Sequence, residues 1–210
     1  MVKNTGKIKD FFDKETIKYL LEHFERLPKN DNGLRINANT MIEQDYNVRF
    51  RDKIMNFLRP HFPHLRISHA TIYQDYLPGG IHTDGYIGEP EDDMSYTFLI
   101  PLESQYTENA TVVFNESNPK AVSYNEATGL GNDGVRSYEQ VDIPQGDFLS
   151  KEFTSNYLRH LSKDTLPLTL DSILYWQVGS ALYWPRERFH SSAWFPKNSK
   201  RKAIVLLTNE

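Results

Sequence analysis

The first residues with the types and spacing for chemistry are a histidine and a carboxylate separated by one residue. His82 and Asp84 follow the glycine-rich turn at residues 78–80, which comes after a strand-like segment ending near Tyr76. In an extended segment, residues two apart point to the same side, so both side chains can reach one metal ion. The pair also has a structural interpretation, in which Asp84 caps the loop and His82 binds backbone groups. A metal site therefore needs a third ligand from elsewhere in the fold.

His190 is the best placed of the seven histidines to be that third ligand. It stands at the start of a late strand-like segment, between aromatic residues on both sides. The other histidines lie on the first predicted helix, in a proline-rich loop, in a polar insertion or at an earlier strand start: His23, His61, His64, His160 and His69. Two histidines and one carboxylate on one face of a metal leave the opposite positions open, an arrangement typical of non-haem Fe(II) oxygenases.

Two amphipathic helices are predicted before these residues. The first covers about residues 13–27, with apolar residues at helical spacing and Asp13 as N-cap. The second covers about residues 47–58 and ends before Pro60. We therefore expect residues 1–62 to form a helical N-terminal part.

From residue 65 onward, short runs rich in β-branched and aromatic residues replace the helical pattern. Most are bounded by Gly, Pro, Asn or Asp, which is typical of strands. The predicted strands cover residues 67–76, 95–102, 111–114, 173–177, 181–184, 192–195 and 201–208. Helices followed by many short strands predict a mainly β fold with flanking helices. We expect a double-stranded β-helix (jelly roll) with the N-terminal helices packed outside.

The composition fits one globular domain and excludes several kinds of site. A chain of 210 residues can bury one full-sized core, so residues 1–210 are expected to form a single domain. The chain has no cysteine, which excludes disulfides, thiolate metal sites and thiol nucleophiles. The net charge of −4 gives no basic stripe for nucleic acid and no polybasic patch for lipid. No secretory signal or membrane-spanning apolar run is visible, so we expect a cytoplasmic protein; its oligomeric state is not readable.

The stretch from residue 115 to about 165 differs from its surroundings. It is polar and weakly periodic, apart from a short helical pattern near residues 153–161. We interpret it as a long insertion between strands, and such loops in compact domains are usually functional. Its aromatic residues make it our candidate for a substrate lid: Tyr124, Tyr138, Phe148, Phe153 and Tyr157.

The motifs, taken in order, resemble those of the 2-oxoglutarate/Fe(II)-dependent dioxygenases, and most closely their prolyl-hydroxylase-like branch. They are Tyr76-x-Pro-Gly-Gly-x-His82-x-Asp84, the strand that begins at residue 95, Trp184 followed by His190, and a basic residue opening the last strand. The resemblance covers about residues 67–114 and 170–208. It implies that His82, Asp84 and His190 hold Fe(II), and that oxidative decarboxylation of 2-oxoglutarate with O₂ is coupled to hydroxylation of a substrate. Related halogenases lack a carboxylate at the position of Asp84.

The resemblance also implies a cation for the far carboxylate of 2-oxoglutarate, about ten residues beyond the distal histidine. Lys200, Arg201 and Lys202 lie there, and a solvated basic cluster is the alternative interpretation. We favour Arg201, because a guanidinium can pair with a carboxylate through two hydrogen bonds. Lys200 is the alternative anchor, since some prolyl-hydroxylase-like enzymes use lysine at about that spacing. Tyr76 resembles a strand tyrosine that reaches the co-substrate in related enzymes; a core or rim position is its alternative.

The substrate stays open between a peptidyl side chain, a free amino acid and a small metabolite. A nucleobase substrate is disfavoured, because enzymes of that kind carry a second arginine shortly after the anchoring one and none follows Arg201. Two other classes remain. A zinc-dependent, non-oxidative enzyme could use the same three ligands, and a jelly-roll binding module could hold a ligand without catalysis.

Overall fold

The computed structural model describes residues 4–27, 30–31, 35–38, 52, 54–85, 94–120, 122–124, 139–140, 149–161, 168–197 and 199–210. The strands, in chain order, are β1 (Gly6–Ile8), β2 (Asn30–Asp31), β3 (Arg35–Ala38), β4 (Arg66–Asp75), β5 (Ile81–His82), β6 (Met94–Ser104), β7 (Ala110–Ser117), β8 (Val122–Tyr124), β9 (Glu139–Gln140), β10 (Leu170–Tyr175), β11 (Ala181–Pro185), β12 (Arg188–Ser192) and β13 (Arg201–Asn209). The helices are α1 (Lys14–Arg26), α2 (residues 54–58) and α3 (Lys151–Tyr157).

Two sheets, antiparallel except for the pair β8 and β9, form the framework of the fold. The seven-stranded sheet has the order β1-β11-β6-β13-β4-β3-β2, and the six-stranded sheet has the order β10-β7-β12-β5-β8-β9. Side chains from both sheets meet between them in one apolar cluster, with Tyr73 and Leu99 from the larger sheet against Val113 and Leu174 from the smaller. The mainly β jelly-roll architecture predicted from the sequence is confirmed.

The larger sheet is covered on its outer face by the N-terminal helices. α1 begins where the Asp13 carboxylate accepts a hydrogen bond from the backbone N–H of Thr16 at 2.6 Å, the geometry of an N-cap. The buried face of α1, with Leu20 and Phe24, shares a cluster with alternate residues of β4, β6 and β13. The helix predicted at 13–27 is confirmed. Of the helix predicted at 47–58, residues 54–58 are helical, whereas most of its first half lies outside the described residues.

The N-terminal part also contains strands, which the sequence interpretation did not include. β1 pairs with β11, and β3 pairs with β4. The N-terminal strands β1, β2 and β3 have two to four residues each, too few to show the alternation by which longer strands are recognised.

The insertion contributes β8 and β9 to the smaller sheet, and its residues 149–161 cover the outer face of that sheet. Leu149, Leu158 and Leu161 pack in a cluster with Ile81 and Phe114 from that face. Phe153 and Tyr157 of the predicted lid pack against this same cluster, while Tyr138, Phe148 and the side chain of Tyr124 lie outside what the structure describes. The insertion as a substrate lid stays a prediction.

One predicted strand is displaced. Residues 192–195 were expected to form a strand, but β12 ends at Ser192. Ala193 and Phe195 are buried, which explains their strand-like composition. The backbone N–H of Trp194 donates to the Tyr157 carbonyl at 2.6 Å instead of to a sheet partner. No helix in the described ranges is long and apolar enough to cross a membrane.

Candidate metal centre

The two histidines of the predicted metal site, His82 and His190, lie on neighbouring strands of the smaller sheet. β5 lies antiparallel to β12, and His82 is directly opposite His190 in the register. Asp84 follows two residues after His82. Its Oδ2 lies 3.3 Å from Nε2 of His190, and its Oδ1 lies 3.9 Å from Nε2 of His82. Ligand atoms of all three residues lie within 4.8 Å of one another. The structure therefore brings the three predicted ligands to one point.

Backbone carbonyls fix the orientation of both imidazole rings. Nδ1 of His82 lies 2.9 Å from the Gly80 carbonyl oxygen, and Nδ1 of His190 lies 3.1 Å from that of Arg188. A carbonyl oxygen can only accept, so each Nδ1 carries the hydrogen and donates. In the neutral form of each ring the lone pair is then on Nε2, the atom that faces Asp84. This is the tautomer and orientation that a metal ion requires.

Asp84 lies beyond β5 and is held by two residues from other strands and turns. The hydroxyl of Thr97 donates to Oδ2 of Asp84 at 2.8 Å. Arg186 is 1% exposed, and its Nε donates to the Asp84 carbonyl oxygen at 3.0 Å. The backbone carbonyl of Arg186 accepts from the Asp84 N–H, also at 3.0 Å. The sequence interpretation missed Thr97 and Arg186. Their spacing in the sequence does not indicate this role, because each reaches Asp84 through a hydrogen bond from a distant part of the chain.

Burial sets the charge state of His82. Burial, with a smaller contribution from the nearby His190, lowers the pKa of His82 to about 4 against the opposing effect of Asp84. The ring is therefore neutral near pH 7, and a metal ion need not displace a proton from it. The indole of Trp184 packs on His190, with ring centroids 4.8 Å apart, and closes one side of the site.

Arg201, the predicted anchor, is buried on the interior face of β13. Its Nη2 and Nε donate to Oδ2 of Asp75 at 2.8 and 3.2 Å, and Nη2 also donates to the Ser192 hydroxyl. The guanidinium lies over the rings of Trp176 and Phe195, 4.5 and 4.2 Å from their centroids. Nη1 is buried and has no hydrogen-bond partner among the described residues. An unpaired buried donor is costly, so this nitrogen is suited to an anion.

The position of Arg201 relative to the metal ligands follows from β12. Ser192, which contacts Arg201, stands two residues after His190 and on the same face of that strand, about 7 Å along it. A second guanidinium, that of Arg35, also pairs with Asp75. Asp75 therefore pairs with two guanidiniums among the described residues.

The remaining predicted site residues lie elsewhere. Lys200 is exposed just before β13, and its backbone N–H donates to the side chain of Gln105 at 3.0 Å. Lys202 points to the helical side, where its Nζ lies 2.8 Å from Oε1 of Glu25. Tyr76 is half-buried just beyond β4.

The tyrosine of β4 that faces the interior is Tyr73. It lies two residues before Asp75, on the same face of the strand. Its side chain is buried, and this burial raises the pKa of its hydroxyl, so the hydroxyl remains protonated. The resemblance pointed to Tyr76 and not to Tyr73; β4 ends at Asp75, one residue before Tyr76.

Comparison with known proteins gives structural matches only. No protein-family model matches the chain, and no curated protein matches its sequence. Among solved structures, the non-heme alpha-ketoglutarate-dependent carbocyclase SnoK from nogalamycin biosynthesis aligns with a TM-score of 0.58 at 11% identity, over 99% of this chain and 80% of SnoK. HygX from Streptomyces hygroscopicus, with nickel and 2-oxoglutarate bound, aligns at 0.54 and 15% identity over 99% of this chain and 83% of HygX.

A third structure, an oxidoreductase of the 2OG-Fe(II) oxygenase family from Burkholderia pseudomallei, aligns at 0.51 and 11% identity over 98% of this chain and 84% of that protein. At these identities the likeness concerns the fold. The chain has the fold of the 2-oxoglutarate/Fe(II) oxygenases, as its motifs predicted.

Proposed function

We propose that this protein is a non-haem Fe(II) oxygenase that couples oxidative decarboxylation of 2-oxoglutarate to hydroxylation of a substrate. The observation that supports this most strongly is the convergence of two Nε2 atoms and one carboxylate on one point, with both rings oriented by backbone carbonyls. Three ligands from one side leave coordination positions open for a co-substrate and O₂. HygX, a protein of the same fold, has 2-oxoglutarate bound together with nickel.

The donor set of the site fits the co-substrate as well as the metal. Arg201 would hold the far carboxylate of 2-oxoglutarate through Nη1, the buried donor that has no partner among the described residues. Its other edge is occupied by Asp75, so the guanidinium is already fixed in orientation. The permanent charge of the Arg201 guanidinium favours a carboxylate as its partner. Tyr76 stays the predicted tyrosine contact, and Tyr73 is a second candidate because it faces the interior.

The residues of the chain have separate roles in this chemistry. O₂ is the oxidant of this reaction; Fe(II), when bound, would activate it, and 2-oxoglutarate would supply two of the four electrons that O₂ accepts. His82, Asp84 and His190 hold the ion from one side, and Thr97 and Arg186 orient Asp84. Buried aromatic side chains between the sheets exclude water from the reaction. The carboxylate of Asp84 favours hydroxylation over halogenation, because related halogenases leave that position without one.

A small molecule is the substrate class that we propose to test first. HygX has been crystallised with hygromycin B, and the epimerase SnoN with nogalamycin RO. These are relatives in fold alone, so amino acids and peptides belong in the same screen.

Anaerobic purification followed by metal analysis and a succinate assay tests the proposal. With Fe(II), 2-oxoglutarate and O₂, we expect succinate release that increases when the substrate is present. Zn(II) in place of Fe(II) should give none. Zinc in the purified site together with no succinate across a broad substrate panel would favour a non-oxidative metalloenzyme. Binding of a ligand without metal or turnover would favour a binding module.

A further inference from the structure

The turn before His82 is held from two sides. His82 depends on the Gly80 carbonyl for its orientation. The neighbouring carbonyl, that of Gly79, accepts hydrogen bonds from the Ser191 hydroxyl at 3.0 Å and from Nε2 of His160 at 3.1 Å. Ser191 belongs to β12, beside His190. His160 belongs to the insertion and follows α3.

The bond to Gly79 determines how the His160 ring is oriented. A carbonyl accepts, so Nε2 of His160 carries the hydrogen. Nδ1 is buried and has no hydrogen-bond partner in the part of the chain that the structure describes. Burial lowers the pKa of His160 to about 4, and the charge of Arg201 also lowers it. The ring is therefore neutral near pH 7, with Nε2 as its donor.

The segment that carries His160 is docked on the strands that carry the metal ligands. Leu158 and Leu161 share an apolar cluster with Ile81, the residue before His82. The guanidinium of Arg159 stacks on the Trp194 ring, 3.1 Å from its centroid. Residues 149–161 thus contact both the β5 side and the β12 side of the site.

We propose that His160 is a positioning residue of the metal centre, supplied by the insertion. Its hydrogen bond to Gly79 fixes the turn whose next carbonyl orients His82. Metal binding and docking of residues 149–161 therefore stabilise each other, and this coupling must be equal in both directions. The inference rests on the proposed function only in so far as His82, Asp84 and His190 bind a divalent metal.

Titration of the 210-residue chain with Co(II), monitored by the visible absorption of the bound ion, tests the first direction. His160→Ala should weaken Co(II) affinity about 10-fold, as expected for a residue that orients a metal ligand. His160→Gln should restore most of the affinity, because its amide nitrogen can donate from the position of Nε2. Arg159→Ala is the matched control: it removes a contact of the same segment that does not involve Gly79, and it should lower the affinity much less than His160→Ala does.

Amide hydrogen exchange with and without Co(II) tests the opposite direction. Co(II) should slow exchange in residues 149–161 of the wild-type protein and of Arg159→Ala, but not of His160→Ala. A merely structural role would lower the thermal stability of the variant without removing this metal-dependent protection.

Three results would overturn the proposal. They are a folded His160→Ala with wild-type Co(II) affinity, a His160→Gln no better than His160→Ala, and metal-dependent protection that persists in His160→Ala. If His160→Ala does not fold, the Co(II) affinity of His160→Gln and the metal-dependent exchange of the wild-type protein test the proposal instead. A wild-type protein that binds Co(II) but never forms succinate would contradict the proposed function alone, whereas one that binds no Co(II) would contradict both.

Discussion

His82 and His190 are cross-strand partners on β5 and β12, and their ring centroids lie 4.3 Å apart. Two of the three candidate ligands are therefore placed by sheet register and not by a loop. A slip of one residue would turn His82 to the other face of the sheet, so the register has to be fixed. Asp84 lies outside any strand, and this explains why its carboxylate and its backbone are both held by other residues, Thr97 and Arg186.

Removal of a ligand should abolish tight metal binding. His190→Ala leaves only His82 and Asp84 on the ion, and we expect Fe(II) or Co(II) affinity to fall by more than the 10- to 100-fold typical of residues that merely support a ligand. Anaerobic titration with the metal measures this. His64→Ala, which removes an exposed histidine, is the control and should bind as the wild type does. Unchanged affinity in His190→Ala would show that the ligand assignment is wrong.

Thr97→Val should weaken metal binding without changing the ligands. Valine has nearly the shape of threonine but cannot donate to Oδ2 of Asp84. A hydrogen bond to a charged group contributes roughly 1.5–3 kcal/mol, which corresponds to about 10- to 100-fold in affinity. Thr208→Val is the matched control, since it removes buried hydrogen bonds to the Tyr96 backbone. The control should lose stability and keep its metal affinity; equal metal affinity in both variants would exclude the role of Thr97.

The three candidate ligands could be named from the sequence because metal chemistry restricts residue types. A chain without cysteine leaves His and carboxylates, and the i, i+2 spacing of His82 and Asp84 already indicates a shared face. Thr97, Arg186 and His160 were not predictable as parts of the site. Each acts through a hydrogen bond across the fold, and such contacts leave no pattern along the chain.

The same distinction holds for the fold. The long strands β4, β6 and β13 were predictable because their composition and punctuation extend over nine or more residues. β5 has two residues, and only its pairing with β12 and β8, both distant in the chain, makes it a strand. Arg201 was predicted as the residue that opens the last strand. Its burial between Trp176 and Phe195 and its pairing with Asp75 depend on segments distant in the chain.

Arg201 and Lys200 can be separated by co-substrate binding to the metal-loaded protein. Arg201→Lys keeps a positive charge beside Asp75 but loses the planar fork. We expect the Kd of 2-oxoglutarate to rise about 10- to 100-fold, as for the loss of a charge-assisted hydrogen bond. Lys200→Ala should have no effect, because Lys200 is exposed before β13. Isothermal titration measures both; a raised Kd in Lys200→Ala alone would identify Lys200 as the anchor.

The buried His160 should make the metal-free protein less stable in mild acid. Its pKa is lowered from 6.5 to about 4 by burial, so the unfolded chain takes up the proton first as the pH falls. The stability that the neutral ring provides is complete above the unfolded pKa of 6.5. It is lost as the pH falls from 6.5 towards 4, by about 1.4 kcal/mol for each pH unit.

His160→Gln removes this titration, so its free energy of unfolding should fall less steeply than that of the wild type across the same window. Urea denaturation at several pH values measures the two slopes. His82, whose pKa is also lowered, is present in both proteins, so the difference between the slopes reports His160. Parallel slopes for His160→Gln and the wild type would mean that His160 takes up its proton as easily in the folded protein as in the unfolded chain.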